Sequence, residues 1–323
     1  MELTLVQAIN TALREEMERN EDVVLLGEDI GRNGGVFRAT EGLYDEFGPT
    51  RVIDTPLNES GLIGVSIGLA LYGMRPVAEI EFLDFIYPAF DQIVSELAKI
   101  RYRTGGEYTA PVVIRAPYGG GIKGGPYHSQ SSEAFFAHVP GLKVVVPSSP
   151  ADAKGLLKSA VREKDPVIFL EPKKLYRSVR GEVPEEEYTV PIGKAETVRE
   201  GNDVSLLTYG SLVPTAVEAA SKSSEEGISV EVVDLRTLSP LDLESILDSV
   251  KKTGRVVIAY EAPKIMGFGA EISAFLAEEA LEYLKAPIAR VGGFNIPFPY
   301  VHEDLYLPTA QRILKAIHKT VRY

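Results

Sequence analysis

Residues 51–82 read "RVIDTPLNESGLIGVSIGLALYGMRPVAEIEF". A strand-like run gives way to an uncharged helical stretch, and "RPVAEIEF" then reads as a further strand. The uncharged run from Ser60 to Gly73 is too short to span a bilayer and predicts a buried helix. Within it Gly61, Gly64 and Gly68 fall at i, i+3 and i+7, a smooth stripe where another element can approach closely. Glu59 stands at the mouth of this helix. Asn58 or Ser60 can cap it, so Glu59 is not needed for that task. A helix N-terminus favours a carboxylate, whereas apolar surroundings raise its pKa and favour the neutral acid. Two readings stay open: a helix-terminus residue, or an acid that exchanges a proton near neutral pH.

The pattern extends outward in both directions. Leu5, Ala8, Ile9, Ala12, Leu13 and Met17 recur at helical spacing after a possible Thr4 cap, and "DVVLLGED" follows as a short buried strand. Pro88 can start a helix with Phe90, Ile93, Val94, Leu97 and Ile100 on one buried stripe. "APVVIRAPYG", "LKVVVPSS" and "DPVIFLEP" are further apolar strands, the last two separated by the helix "PADAKGLLKSAVRE". Continuous apolar strands alternating with helices predict a doubly wound parallel sheet covered on both faces.

From Arg180 to about Lys194 the texture becomes acidic and proline-containing, which predicts a linker with a short strand. Beyond it "DVSLLTYG", "ISVEVVDLR", "RVVIAYE" and "IARVGGF" alternate with helices, and "TAQRILKAIHKTVRY" closes the chain as a helix with a basic last turn. The fold class is therefore α/β in two domains: residues 1–185, a linker at 186–194, and a smaller domain at 195–323.

The chain has 323 residues, 45% apolar and 25% charged, with a formal net charge of −12 and no cysteine. That profile is globular rather than disordered, and it argues against a duplex nucleic-acid partner, which would require a basic face. Disulfides and thiolate metal sites are excluded. The opening residues lack the features of a signal or transit peptide, so no membrane role is expected and the cytoplasm is the expected location.

"GGGIKG" (119–124) formally matches a dinucleotide fingerprint after a strand, but the chain runs on through Gly125 and Pro126 instead of starting a helix. No acid follows at ribose-binding distance either. "HEDLY" at His302 begins like a zinc motif and lacks its second histidine. His128 lies in "GGPYHSQSSEAFF", beyond a strand, where α/β sheets put their chemistry. A structural histidine satisfied by Ser129 or Gln130 is equally consistent with the residues. Phe82, Phe85, Tyr87 and Phe90 crowd one segment, mostly as core, with one ring able to stack on a heterocycle.

"GEDIGRNGGVFRATEGL", the opening stretch, "PYHSQSSEAFFAHVPGLKVVVPSSPADAKGLL" and "DPVIFLEPKKLYR" together resemble the β-subunit of the thiamine-diphosphate-dependent decarboxylating component of 2-oxoacid dehydrogenase complexes. The similarity runs from the first helix to the C-terminus, and "FIYPAFDQIVSELAKIRYRTGG" is more like the branched-chain and some bacterial pyruvate enzymes. The resemblance implies a pyrimidine-binding domain followed by a transketolase C-terminal-like domain. It assigns Glu59 to the aminopyrimidine of the cofactor, where a protonated acid promotes loss of the thiazolium proton. Leu57 and Phe85 match positions around the pyrimidine ring, Glu28 an acid near it, and His128 a histidine facing the reacting centre and assisting acyl transfer. It also implies a potassium site at Val112, Ala160, Val161, Glu163 and Asp165, although Glu163 and Asp165 stand where relatives often carry Asp and Asn.

The chain contains no GDG motif, which in the family opens the Mg²⁺–diphosphate site. The resemblance therefore implies an α-subunit supplying that half, in a tetramer of two α and two β chains. It further implies a dihydrolipoyl acyltransferase core with its lipoyl domain as partner, and a 2-oxoacid substrate, branched-chain ahead of pyruvate. An acetoin dehydrogenase β-subunit, half of a split transketolase or deoxyxylulose-phosphate synthase, and a non-catalytic scaffold subunit are the alternatives.

Overall fold

The computed structural model describes residues 1–323, which fold as two compact units. The first comprises residues 1–118 and 135–192, the second residues 119–134 and 193–323.

The first unit opens with helix α1 (Leu5–Arg19), where Thr4 accepts from the Gln7 amide and Gln7 returns the bond as a capping box. Its buried stripe is the one the spacing predicts, Leu5, Ala8, Ile9, Ala12, Leu13 and Met17. The strands are β1 (Val23–Gly27), β2 (Val52–Asp54), β3 (Arg75–Glu79), β4 (Val113–Tyr118), β5 (Lys143–Val145) and β6 (Val167–Pro172). They pair in the order β5-β6-β4-β3-β1-β2, every pair parallel. Between β2 and β3 runs α2 (Glu59–Leu71), and between β5 and β6 runs α3 (Pro150–Arg162), capped by Ser149 with proline in its first turn. Helices α1 and α3 pack on each other over the sheet, and Arg162 and Lys158 reach Glu16 and Glu15 across the seam. The predicted short strand after residue 180 exists, with Arg180–Glu182 pairing antiparallel to Glu2–Thr4. Farther on, Val190 donates to the Gly155 carbonyl and Tyr188 to that of Ala151, so this stretch lies along α3.

Two expectations change. Helix α2 is apolar all round, yet it buries only Leu62, Ile63, Ser66 and Ala70 within this chain. Val65 is 55% exposed, and a methyl group added at Gly68 would meet nothing within 4 Å. The predicted buried helix is therefore half open: hydropathy reports that a surface avoids water, not which chain covers it. The helix expected after Pro88 is irregular, running as 3₁₀ turns, a π-helical stretch Gln92–Glu96 and a short α-helix Ile100–Arg103. Ile93, Leu97 and Ile100 of the predicted stripe are buried, whereas Val94 is half-buried and Phe90 lies at the surface.

The second unit has β7 (Val204–Thr208), α4 (Val213–Glu225), β8 (Val230–Asp234), α5 (Leu243–Thr253), β9 (Val256–Pro263), α6 (Gly269–Glu279), β10 (Ala289–Gly293) and α7 (Ala310–Val321). Its sheet runs β10-β9-β7-β8, parallel throughout, with Glu196–Arg199 added antiparallel at the β8 edge. Val204, Leu206, Val230, Val232 and Val257 form its core with Ile313 and Ile317 of α7. The two alternations of strand and helix are thus those the sequence pattern predicts.

Candidate active site

In the first unit the chemistry gathers at the carboxyl ends of the parallel strands, where open α/β sheets place their ligands. Glu28 follows β1, Glu59 opens α2 after β2, and Glu81 follows β3. Asn58 caps α2 by accepting from the Gly61 amide at 2.9 Å. Glu59 is therefore released from capping, as one of the two open readings requires. It is half-buried, as is Glu28.

The carboxylates act on one another. Partial burial pushes the Glu28 carboxyl up, the negative charge of Glu59 adds to this, and a hydrogen bond from the Asn58 backbone partly opposes it. Burial also raises Glu81, followed by the charges of Glu28, Asp29, Glu79 and Glu59. Glu28 and Glu81, crowded by these charges, hold a proton more readily than isolated carboxyls do.

Below the ring lies a dry ionic floor. Arg115 on β4 is 1% exposed and donates through Nε and Nη2 to Glu171 of β6, at 2.6 and 2.9 Å, and through Nη1 to Glu79 of β3 at 2.6 Å. Tyr176 donates to the same Glu171 carboxylate. Burial alone would lower the Arg115 pKa, but the two carboxylates more than offset it and the net direction is up. Three strands are tied together directly beneath the acids.

Of Phe82, Phe85, Tyr87 and Phe90, only Phe82 belongs to the core, which corrects the reading of most of them as interior. Phe82 packs edge-on against Phe85, with centroids 5.4 Å apart, and Phe85 is half-buried with surface left over. Tyr87 and Phe90 are exposed and lean on Phe135 and Phe136. Leu57, just before the α2 cap, is 80% exposed. An acid ring, a partly open phenyl face and an exposed leucine at the strand ends suit one flat, nitrogen-containing ring that needs an acid partner. In this sense the residues present fit an aminopyrimidine.

The set named for potassium behaves differently. Arg75 of β3 donates to the carbonyls of Val161 and Glu163 at 2.7 and 2.9 Å. The Val112 and Ala160 carbonyls accept from the amides of Val167 and Glu163. The carboxylates of Glu163 and Asp165 pair with Lys143 and Arg101. A guanidinium supplies the positive charge here and the oxygens are already engaged, so these residues do not fit a potassium cage.

In the second unit, His128 is half-buried just after a 3₁₀ turn, Gly125–Tyr127. No helix starts at "GGGIKG"; its backbone turns through left-handed conformations at Gly119, Gly121 and Lys123. Gln130 bonds back to the Pro126 carbonyl at 2.6 Å, closing the His128 loop on itself. Glu133, fully buried, accepts from the Tyr209 hydroxyl at 2.6 Å. Burial pushes its carboxyl up to about 7; the Tyr209 bond opposes this and the Glu261 charge adds to it. Sequence reasoning missed Glu81, Glu133 and Glu261, because their burial and their partners come from residues distant along the chain.

The Glu133 shift has a measurable sign. Its folded pKa lies above the usual 4.5, so its contribution to stability is fully present below pH 4.5 and is lost as pH rises toward 7. Denaturation at pH 5 and pH 8 should show the parent losing about 2.5 kcal/mol more than Glu133→Gln over that interval. Parallel losses would show that Glu133 ionises normally.

Comparison with known proteins agrees with this architecture. The family description "Transketolase, pyrimidine binding domain" matches residues 1–179, and "Transketolase, C-terminal domain" matches residues 193–313. The chain is 54% identical over 299 residues to the "2-oxoisovalerate dehydrogenase subunit beta" of Bacillus subtilis, covering 92% of this chain and 91% of that protein. It is 50% identical over 323 residues to the "Pyruvate dehydrogenase E1 component subunit beta" of Staphylococcus epidermidis, covering 100% and 99%. A solved structure described as "Split gene transketolase, inactive beta4 tetramer" superposes with a TM-score of 0.81 at 26% identity, over 99% of this chain and 98% of that one. With both domains matched and half or more of its residues shared with such subunits along nearly its whole length, the chain belongs to the β-subunit family of the thiamine-diphosphate-dependent 2-oxoacid dehydrogenases.

Proposed function

We propose that this β-subunit supplies the pyrimidine-side acid of a branched-chain 2-oxoacid dehydrogenase, and that an α-subunit supplies the Mg²⁺–diphosphate half. The observation that carries the reading is Glu59, freed from capping by Asn58 and set among Glu28 and Glu81 at the strand ends. When bound, thiamine diphosphate supplies the electron sink for loss of carbon dioxide from a 2-oxoacid. Glu59 holds a proton against the pyrimidine ring nitrogen, with Glu28 and Glu81 beside it at the strand ends. Phe85 presents its exposed surface to the ring and Leu57 closes over its edge. Glu28 extends the line of acids as a proton path. His128 assists binding of the 2-oxoacid and transfer of its acyl group to the lipoyl arm of a dihydrolipoyl acyltransferase core.

The open apolar face of α2 beside Glu59 supports a second chain as cover, since exposed apolar surface at a helix mouth costs free energy until it is buried. The word "subunit" in the relatives' names, and "inactive" in the name of the β-only tetramer, point the same way. The branched-chain substrate rests on the 54% identical relative being named for 2-oxoisovalerate. The split-transketolase alternative rests on a likeness of 26% identity and is the weaker reading.

The test is co-production with an α-subunit and dye-coupled decarboxylation across a panel of 2-oxoacids, acetoin and sugar phosphates. The branched-chain acids should give the highest kcat/KM. Turnover of sugar phosphates alone would replace this function with the transketolase one.

A further inference from the structure

The glycine-rich stretch 119–124 looks like a phosphate cradle and is occupied by the chain itself. The Gly120 amide donates to Glu261 at 2.5 Å, and the Gly121 and Lys123 amides each donate to a different oxygen of Glu303 at 2.9 Å. Ser131 and Ser211 add their hydroxyls to Glu261 at 3.2 and 2.5 Å. Both carboxylates are 3% exposed. Successive amides turned inward by left-handed residues form an anion nest, and here the anions are two glutamates of the same unit. The approach leaves no slack: a methyl group at Gly119, whose φ is +78°, would stand 2.7 Å from Glu261 Oε1. Lys123 takes a φ of +56°, which a lysine rarely adopts, and its amide bond to Glu303 compensates that strain. His128 follows five residues after Lys123 on the same loop, whose far end is pinned by the Ser131–Glu261 bond.

We propose that Glu303 and Glu261 are positioning residues, which fill the amide nest of residues 119–124 and thereby set where His128 stands. This rests on the role given to His128 above. Neither glutamate touches substrate or cofactor; each acts through the loop. The sequence conceals the pairing, because Glu303 lies in the stretch that merely resembles a zinc motif and reaches back 182 residues to Gly121.

The experiment uses the assembled α–β enzyme with Glu303→Ala, His128→Ala and the double variant, each with and without added sodium formate. Amide hydrogen exchange in peptides covering 119–127 should speed up by at least about tenfold in Glu303→Ala, because two charge-assisted bonds are lost. Formate, entering the emptied nest, should slow it again. The rate of lipoyl acylation should fall by about tenfold and recover with formate, and the double variant should be no slower than His128→Ala alone. Unchanged exchange, or multiplicative losses in the double variant, would overturn the proposal. Full activity in His128→Ala would instead remove the role of His128, while exchange and its formate dependence still decide the anchoring. Should Glu303→Ala fail to fold, Glu303→Gln keeps one acceptor oxygen and is expected to speed exchange by about threefold.

Discussion

Glu59→Gln is expected to lower turnover of the assembled enzyme by at least about 10²-fold, the usual contribution of a positioned acid. The amide matches the carboxyl in size and still accepts a hydrogen bond, but it cannot hold and release the proton at the pyrimidine ring nitrogen. The fold should be untouched. Asn58, not Glu59, caps α2, and Glu59 is only half-buried, so no packed core loses an atom. Steady-state decarboxylation, with sedimentation to confirm the assembly, separates the two effects. Turnover within about threefold of the parent would be too small for an acid of this kind, and the assignment of Glu59 would fall.

Arg115→Met should be the most damaging single change to stability, at about 3–5 kcal/mol. Glu79 and Glu171 would remain buried with their countercharge gone, and methionine fills most of the arginine's volume without satisfying either. The cost belongs to the stranded carboxylates rather than to lost packing. The same change made together with Glu79→Gln and Glu171→Gln should therefore cost only about 1–2 kcal/mol more than those two substitutions alone. Denaturant midpoints of the parent and the three variants test this, and equal losses in both backgrounds would show that Arg115 acts through shape. Because this floor ties β3, β4 and β6 beneath the acid ring, part of the loss should also appear as weaker cofactor binding.

Much of this was legible in the sequence for a simple reason: apolar periodicity and end signals are local. The Thr4 cap, the stripe of α1 and both strand–helix alternations lie within a few residues of their causes. Glu59 stood out because it was the one acid at the mouth of an uncharged helix, although choosing between Asn58 and Ser60 as the cap required coordinates. What was not legible depends on distance or on other chains. Helix α2 read as buried, and whether its second face meets this chain or another is not written in its own residues. The π turn at Gln92–Glu96 left no mark in the apolar spacing, since Ile93, Leu97 and Ile100 are buried as the stripe predicts. The carboxylates on the glycine loop come from 141 and 182 residues away, and nothing local names that loop as the partner of Glu261 or Glu303.

The central claim is that this chain carries half of a thiamine-diphosphate site. Calorimetric titration of the cofactor with Mg²⁺ into the chain alone, into an α-subunit alone and into their complex addresses it directly. The account predicts saturable binding by the complex, with one cofactor per αβ pair, and none by either chain separately. Stoichiometric binding by this chain alone would contradict it.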